Sequence, residues 1–188
     1  ADNVMAALAV GEYFGISHAD AAKAIAAYVP ANSRSQMIRT EGNVLIVDAY
    51  NANPTSMEAA LDNFAGISAG TKCVLLGDML ELGSESAAEH SKIIRKVESL
   101  GAATAFFVGE EFWKAAATAD SRIPALPCGP GDTVCSSVVL KDGNGHATGF
   151  FLTSKDLASY LTSHPVKGNT ILVKGSRGTR METVIPAL

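Results

Sequence analysis

The chain has 188 residues, 47% hydrophobic, 18% charged and 6% aromatic, with 17 Gly and 7 Pro, a composition that excludes disordered and fibrous classes and describes a globular protein with a sizeable core. The formal net charge is −4 and no Lys/Arg cluster exceeds a local pair, which argues against a nucleic-acid surface. No apolar run approaches the roughly 20 residues of a membrane span and no basic segment leads into an apolar one at the start, so a cytoplasmic protein off the membrane is expected.

Residues 3–14 and 20–28 are Ala-rich with helical spacing, and Gly15-Ile-Ser-His18 separates them as a helical pair. Val29-Pro30-Ala-Asn-Ser-Arg34 reads as a connector, because Pro30 disfavours helix for its predecessor and small polar turn formers follow. A domain boundary is expected near residue 32.

Beyond it, short apolar runs alternate with helical segments. The runs at 44–48, 73–77, 105–109, 149–153 and 170–174 are unbroken, which suits strands buried on both faces of a parallel sheet. Helices are predicted at 55–65, 86–100, 111–119, 154–163 and 179–187. Thr55 with Glu58 and Ser86 with Glu89 offer capping boxes, Asn53 and Pro54 suit N-cap and first-turn positions, and Ser154 suits a cap. The order predicts a doubly wound, mostly parallel α/β sheet. Residues 121–147 fit less well: Pro124, Pro127, Pro130 and Asp142-Gly-Asn-Gly-His146 flank one further strand at 134–140.

Cys73, Cys128 and Cys135 have no CxxC spacing, which points to neither a disulfide framework nor a zinc site, and Cys73 reads as a core residue. The histidines at 18, 90, 146 and 164 form no metal-ligand pattern; His90 reads as a surface or packing residue and Trp113 as one packing on the sheet. No GxSxG elbow and no Walker A loop occurs.

Ligands of open α/β sheets bind beyond the carboxyl ends of the strands. Three such ends are chemically rich. Asp48-Ala-Tyr-Asn51-Ala-Asn53-Pro54 places a carboxylate, a phenol and two amides before a helix; capping accounts for Asn53 but does not require Asp48 or Asn51. Gly77-Asp78-Met-Leu-Glu81-Leu-Gly83 carries two acids between glycines, and a loop of solvated acids explains it equally well. Lys174-Gly175-Ser176-Arg177-Gly178 sets two cations and a hydroxyl on a Gly-flanked turn that can hold an anion.

These three segments, with Met57, Ala59-Ala-Leu61, Glu89-His90, Leu172-Val173 and Met181-Glu182 in the same order, resemble the Mur ligase family in its dipeptide-adding branch. The resemblance covers 44–109 and 148–188. It implies that residues 1–32 are the helical tail and hinge of a central ATPase domain, and that 33–188 form a C-terminal Rossmann-like domain. The P-loop, the Mg2+ ligands and a carbamylated lysine would lie outside this chain, leaving it catalytically incomplete. The family reaction uses ATP to turn the carboxylate of UDP-N-acetylmuramoyl-tripeptide into an acyl phosphate, which the amine of D-alanyl-D-alanine attacks in building a peptidoglycan precursor. By the same resemblance Asn3, Arg34 and Asp48 would contact the nucleotide. Tyr50, Asn51 and Asn53 would line a closed cleft, and Lys174, Ser176 and Arg177 would face the dipeptide carboxylate or the reacting phosphate. Domain closure about 29–34 and a monomeric protein are expected. A folylpolyglutamate synthase-like ligase and a receiver-like or nucleotide-binding module without chemistry of its own are the rival readings; the second lacks the acidic pair a receiver needs after its first strand.

Overall fold

The structure, a computed structural model, describes residues 2–28, 36–68, 70–126 and 136–188. The connector 29–34 with Arg34, and Cys128, Cys135, Pro127 and Pro130, lie outside the described residues. The chain divides into two compact units, Ala1–Ala31 and Asn32–Leu188.

In the first unit α1 (Asp2–Tyr13) and α2 (His18–Ala27) are joined by a turn in which Gly15 takes φ 77, a left-handed value that suits a residue without Cβ. Ser17 caps α2, accepting the Asp20 N–H at 3.2 Å. Ala21 is buried, whereas Val4, Met5, Val10, Tyr13, Phe14 and Ile16 are exposed.

The second unit is a seven-stranded sheet in the order β1-β2-β7-β3-β4-β6-β5. Its strands are β1 (Gln36–Arg39), β2 (Val44–Asp48), β3 (Thr71–Gly77), β4 (Thr104–Val108), β5 (Ser137–Lys141), β6 (Ala147–Phe151) and β7 (Asn169–Lys174). The five inner strands run parallel and the two edge strands, β1 and β5, pair antiparallel to them. All five apolar runs form inner strands; in β3, β4, β6 and β7 alternate residues are buried on opposite faces, whereas β2 buries Leu45 and Val47 on one face and leaves Val44 and Ile46 half-buried on the other. Val74, Leu76, Phe107, Phe150 and Leu172 face one layer, packed by α3 (Pro54–Ala65), α4 (Ser86–Ser99) and α5 (Glu110–Ala119). Cys73, Leu75, Phe106, Phe151, Ile171 and Val173 face the other, packed by α6 (Ser154–Ser163) and the C-terminal segment. Burial pushes the Cys73 thiol up to about 12, so it remains an inert core group. Trp113 is buried in the first layer and donates from Nε1 to the Pro124 carbonyl at 2.8 Å.

Several local expectations are corrected. The helix expected at 179–187 is two 3-10 segments, Arg177–Thr179 and Met181–Ala187, because Arg180 between them is left-handed (φ 51, ψ 47) and Pro186 has no N–H to give. The capping box of α3 joins Asn53 to Ser56, and Glu58 reaches Lys92 instead, at 2.6 Å. A 3-10 turn, Gly83–Glu85, precedes α4, so Ser86 is already inside the helical run and its hydroxyl donates to Glu111 at 2.6 Å. Thr153, with Asp156, caps α6 and leaves Ser154 in the first turn. Strand β1 was not anticipated: Gln36-Met-Ile-Arg39 is a short edge segment, half solvent-facing and without a continuous apolar run.

Candidate functional site

After β2, β3 and β4 the chain crosses to the α3–α5 layer, whereas after β6 and β7 it crosses to the opposite layer. In the observed strand order this reverses direction on both sides of β7 and again between β4 and β6. Chains that leave neighbouring strand ends in opposite directions part to form a crevice, which is where such sheets bind ligands.

At the first reversal the loops are laced together. Asp48 and Lys174 are in register on β2 and β7, and the fully buried Lys174 ammonium donates to Asp48 Oδ2 at 2.5 Å and to the Asn51 carbonyl at 3.1 Å. The Ser176 hydroxyl, also buried, accepts the Leu80 N–H at 3.0 Å and donates to the Ala52 carbonyl at 3.2 Å. Ser176 N–H donates to the Asp78 carbonyl at 3.1 Å. One turn from β7 thereby ties the β2 and β3 loops into a single surface. Gly77 and Gly175 allow this approach, since a Cβ on either would press on Thr179 and Met181. Above the lacing, the Arg177 guanidinium lies over the Tyr50 ring, 5.7 Å from its centroid, and both side chains are exposed.

Asp78 follows β3 and is buried. Its two oxygens accept the Glu111 and Phe112 N–H groups at 3.0 and 2.9 Å, so it satisfies the N-terminus of α5 from a different strand. Burial pushes its carboxyl above the ordinary carboxylate value, against the pull of these two N–H groups and of His90. His90 is fully buried; its Nε2 accepts the Met79 N–H at 3.0 Å and its Nδ1 stands 2.7 Å from the Ser86 carbonyl, which assigns the ring proton to Nδ1. The Asp78 loop is thus held from below by α4. Gly109, at φ 121, leaves the Asp78 carboxylate the space that a Cβ would fill.

At the second reversal, between β4 and β6, the strand ends stay open. A crevice of about 520 Å³ is lined there by Glu110, Ser154 and Lys155 from the β4 and β6 ends and by Asp78, Leu80 and Arg180 from the loops after β3 and β7.

The profile of the family described as "Mur ligase, glutamate ligase domain" matches residues 33–177. The chain belongs to the Mur ligase family. A relative from Bacillus subtilis (strain 168), named UDP-N-acetylmuramoyl-tripeptide--D-alanyl-D-alanine ligase, is 31% identical over 99% of this chain and 37% of its own length. One of the same name from Rickettsia prowazekii (strain Madrid E) is 26% identical over 98% of this chain and 36% of its own. A crystal structure of MurF from Acinetobacter baumannii aligns with a TM-score of 0.75 at 28% identity, over 98% of this chain and 36% of that one. The chain therefore spans little more than a third of the length of these relatives.

Within this Mur ligase domain the expected residues separate into two groups. Asp48, Asn51, Lys174 and Ser176 are brought together, but the Lys174 ammonium and the Ser176 hydroxyl are taken up by protein partners. Asn53 is committed to the α3 cap, accepting the Ser56 N–H at 2.8 Å. Tyr50 and Arg177 present exposed surface, and Asn3 is exposed on α1 in the other unit. His90 carries more of the site's architecture than its reading as a surface or packing residue allowed; it lies 11 residues after Met79, and its place in the Glu89-His90 pair that shares in the resemblance was the signal for it. Of the crevice residues, Lys155 and Arg180 belong to no quoted segment, Ser154 entered only as a cap candidate, and Asp78, Leu80 and Gly178 come from the segments that carry the resemblance.

Proposed function

We propose that this Mur ligase chain is the C-terminal part of an ATP-dependent ligase that joins D-alanyl-D-alanine to UDP-N-acetylmuramoyl-tripeptide, in the cytoplasm and as a monomer. The observation that carries this reading is likeness to ligases of that name over 99% of the chain. In the proposed reaction the terminal phosphoryl of ATP passes to the tripeptide carboxylate, giving an acyl phosphate and ADP. The dipeptide amine then attacks the carbonyl carbon, the carbon–oxygen bond to phosphate breaks, and the amine gives up a proton as the amide forms.

Such chemistry depends on positioning and on holding phosphate charge. The Arg177 guanidinium, carried above the laced loops beside Tyr50, suits the reacting phosphate. Asp48, Lys174, Ser176, Asn51 and Asn53 hold that surface in shape, and by the resemblance Asn3, Arg34 and Asp48 would contact the nucleotide. By the resemblance, the Mg2+ accompanying ATP would take its ligands mostly from outside this chain. The test joins residues 33–188 to the remainder of the Bacillus subtilis relative in place of its own corresponding part. Phosphate release that requires D-alanyl-D-alanine is the expected result; release supported by glutamate and not by the dipeptide would overturn the reading.

A further inference from the structure

The proposed reaction makes no use of His90, a fully buried titratable side chain. Its ring is fixed on three sides. Nδ1 stands 2.7 Å from the Ser86 carbonyl one turn earlier on α4, Nε2 accepts the Met79 N–H at 3.0 Å, and Phe112 of α5 packs edge-on with centroids 4.5 Å apart. Asp78 Oδ1 lies 3.6 Å from the same Nε2 but is taken up by the Phe112 N–H at 2.9 Å. The ring is therefore a neutral acceptor delivered to one backbone N–H, a duty no aliphatic core residue performs.

That N–H opens a run of contacts toward Arg177. Leu80, the next residue, donates its N–H to Ser176 Oγ at 3.0 Å, and the same hydroxyl donates to the Ala52 carbonyl at 3.2 Å. Arg177 and Gly178 follow directly. Arg177 lies over the Tyr50 ring, and Gly178 is so close to Leu80 that a Cβ on it would come within 2.6 Å of Leu80 Cδ1. Glu81, just past the two bonded N–H groups, is left-handed at φ 67, a costly state for a residue with a Cβ that persists only where its neighbours are held. The Met79–Leu80 step is thus clamped from α4 by an imidazole and from the β7 turn by a hydroxyl. Without the imidazole the Met79 N–H would be a buried donor with no acceptor; turning it to water relieves that, and carries Leu80 away from Ser176 and Gly178.

We infer that His90 is a positioning residue for the ligase reaction: by accepting the Met79 N–H it sets the Leu80–Ser176 contact and so the direction in which Arg177 is presented. The inference rests on the proposed function, in which Arg177 meets the reacting phosphate. His90 itself touches no substrate and acts only through Met79, Leu80 and Ser176.

The experiment divides the imidazole between two amides. In His90→Gln the side-chain oxygen reaches the Nε2 position and accepts the Met79 N–H; in His90→Asn the amide ends at the Nδ1 position and keeps only the Ser86 contact. Val97→Ala, a truncation on the same buried face of α4, is the destabilised control with the clamp intact. In the fusion with the Bacillus subtilis relative, His90→Asn is expected to lower kcat for dipeptide-dependent phosphate release about tenfold while KM for the dipeptide moves less than about twofold. His90→Gln is expected to recover most of that loss, and Val97→Ala to keep kcat. Amide NMR of the 188-residue chain reads the geometry without activity: the Leu80 amide and the Arg177 Nε–H shift with His90→Asn and return with His90→Gln. A kcat loss that follows the urea midpoint alike in all three variants would overturn the positioning role. So would a Met79 amide that shifts in His90→Asn while Leu80 and Arg177 do not. An unsubstituted fusion that responds to glutamate and not to the dipeptide would sink the ligase reading, while the Arg177 response in the chain still decides the clamp.

Discussion

The carboxyl ends of β2 and β7 lie on the same edge of the sheet as those of β4 and β6, and the two regions are finished differently. At β2 and β7 every polar group of the turn that is buried has a protein partner: Lys174 has Asp48 and the Asn51 carbonyl, Ser176 has Leu80 and Ala52. At β4 and β6 the Ser154 hydroxyl has no protein partner among the described residues and stays in reach of solvent, and Lys155 and Arg180 line the same crevice in no ion pair among those residues. The turn richest in motif residues thus acts largely as scaffold, while the crevice beside it, which shares Asp78, Leu80 and Gly178 with the motif loops, keeps side chains open to solvent.

The sharpest way to break this contrast is at the laced end. Lys174→Met leaves the Asp48 carboxylate without its buried counter-ion and frees the β2 loop; a loss of about 3 kcal/mol in urea unfolding is expected. An unchanged midpoint would mean that the pair does not brace the two strands.

Asp78→Asn comes next. It leaves one α5 N–H without an acceptor and is expected to cost about 2 kcal/mol at acid pH. Burial raises the Asp78 carboxyl above 3.8 in the folded state, so the folded chain holds that proton more tightly than the unfolded chain. As pH rises through the folded-state value this contribution is lost, and the gap between wild type and Asp78→Asn should narrow. A gap that widens toward neutral pH would show that the two N–H groups outweigh burial.

Asn53→Ala removes the α3 capping box and should cost about 1 kcal/mol. The same urea experiment measures it, and a smaller loss would indicate that Ser56 and Pro54 suffice to start the helix. At the open end, Lys155→Ala should shift stability by no more than about 0.5 kcal/mol, because its ammonium holds nothing in the protein. A larger loss would show that the open end is braced after all and would erase the contrast.

Much of the fold was legible because its signals are local. The runs 73–76 and 171–173 are apolar and buried at every position, which only a strand covered on both faces achieves, while 44–47 is equally apolar but alternates half-buried with buried residues. Asn53-Pro54 announced the start of α3. The 179–187 helix failed because Arg180 adopts a left-handed backbone that no residue type in that stretch advertises. Ser86 and Ser154 both look like helix caps in isolation, and each was displaced by its neighbour: by the 3-10 turn before α4 in one case and by Thr153 in the other. The candidate site was legible as a set of residue types at strand ends, but their duties were not. Asp78 reads as a loop acid, and only the adjacency of β3 and β4 turns it into the cap of α5.

By itself, then, the sequence determined the alternation of strands and helices, the burial of both sheet faces, the main boundaries of its helices and the family to which its motifs belong. These follow from short-range periodicity and from residue types whose backbone preferences act within a few positions. The tertiary structure decided which polar groups are satisfied and which remain open. Lys174 meets Asp48 across 126 residues of chain because β7 returns to insert beside β2, and the Ser154 hydroxyl finds no protein partner among the described residues because β6 sends its helix away from that of β4. Hydrogen-bond satisfaction at a strand end depends on which strands are neighbours, and strand order is a property of the folded sheet as a whole.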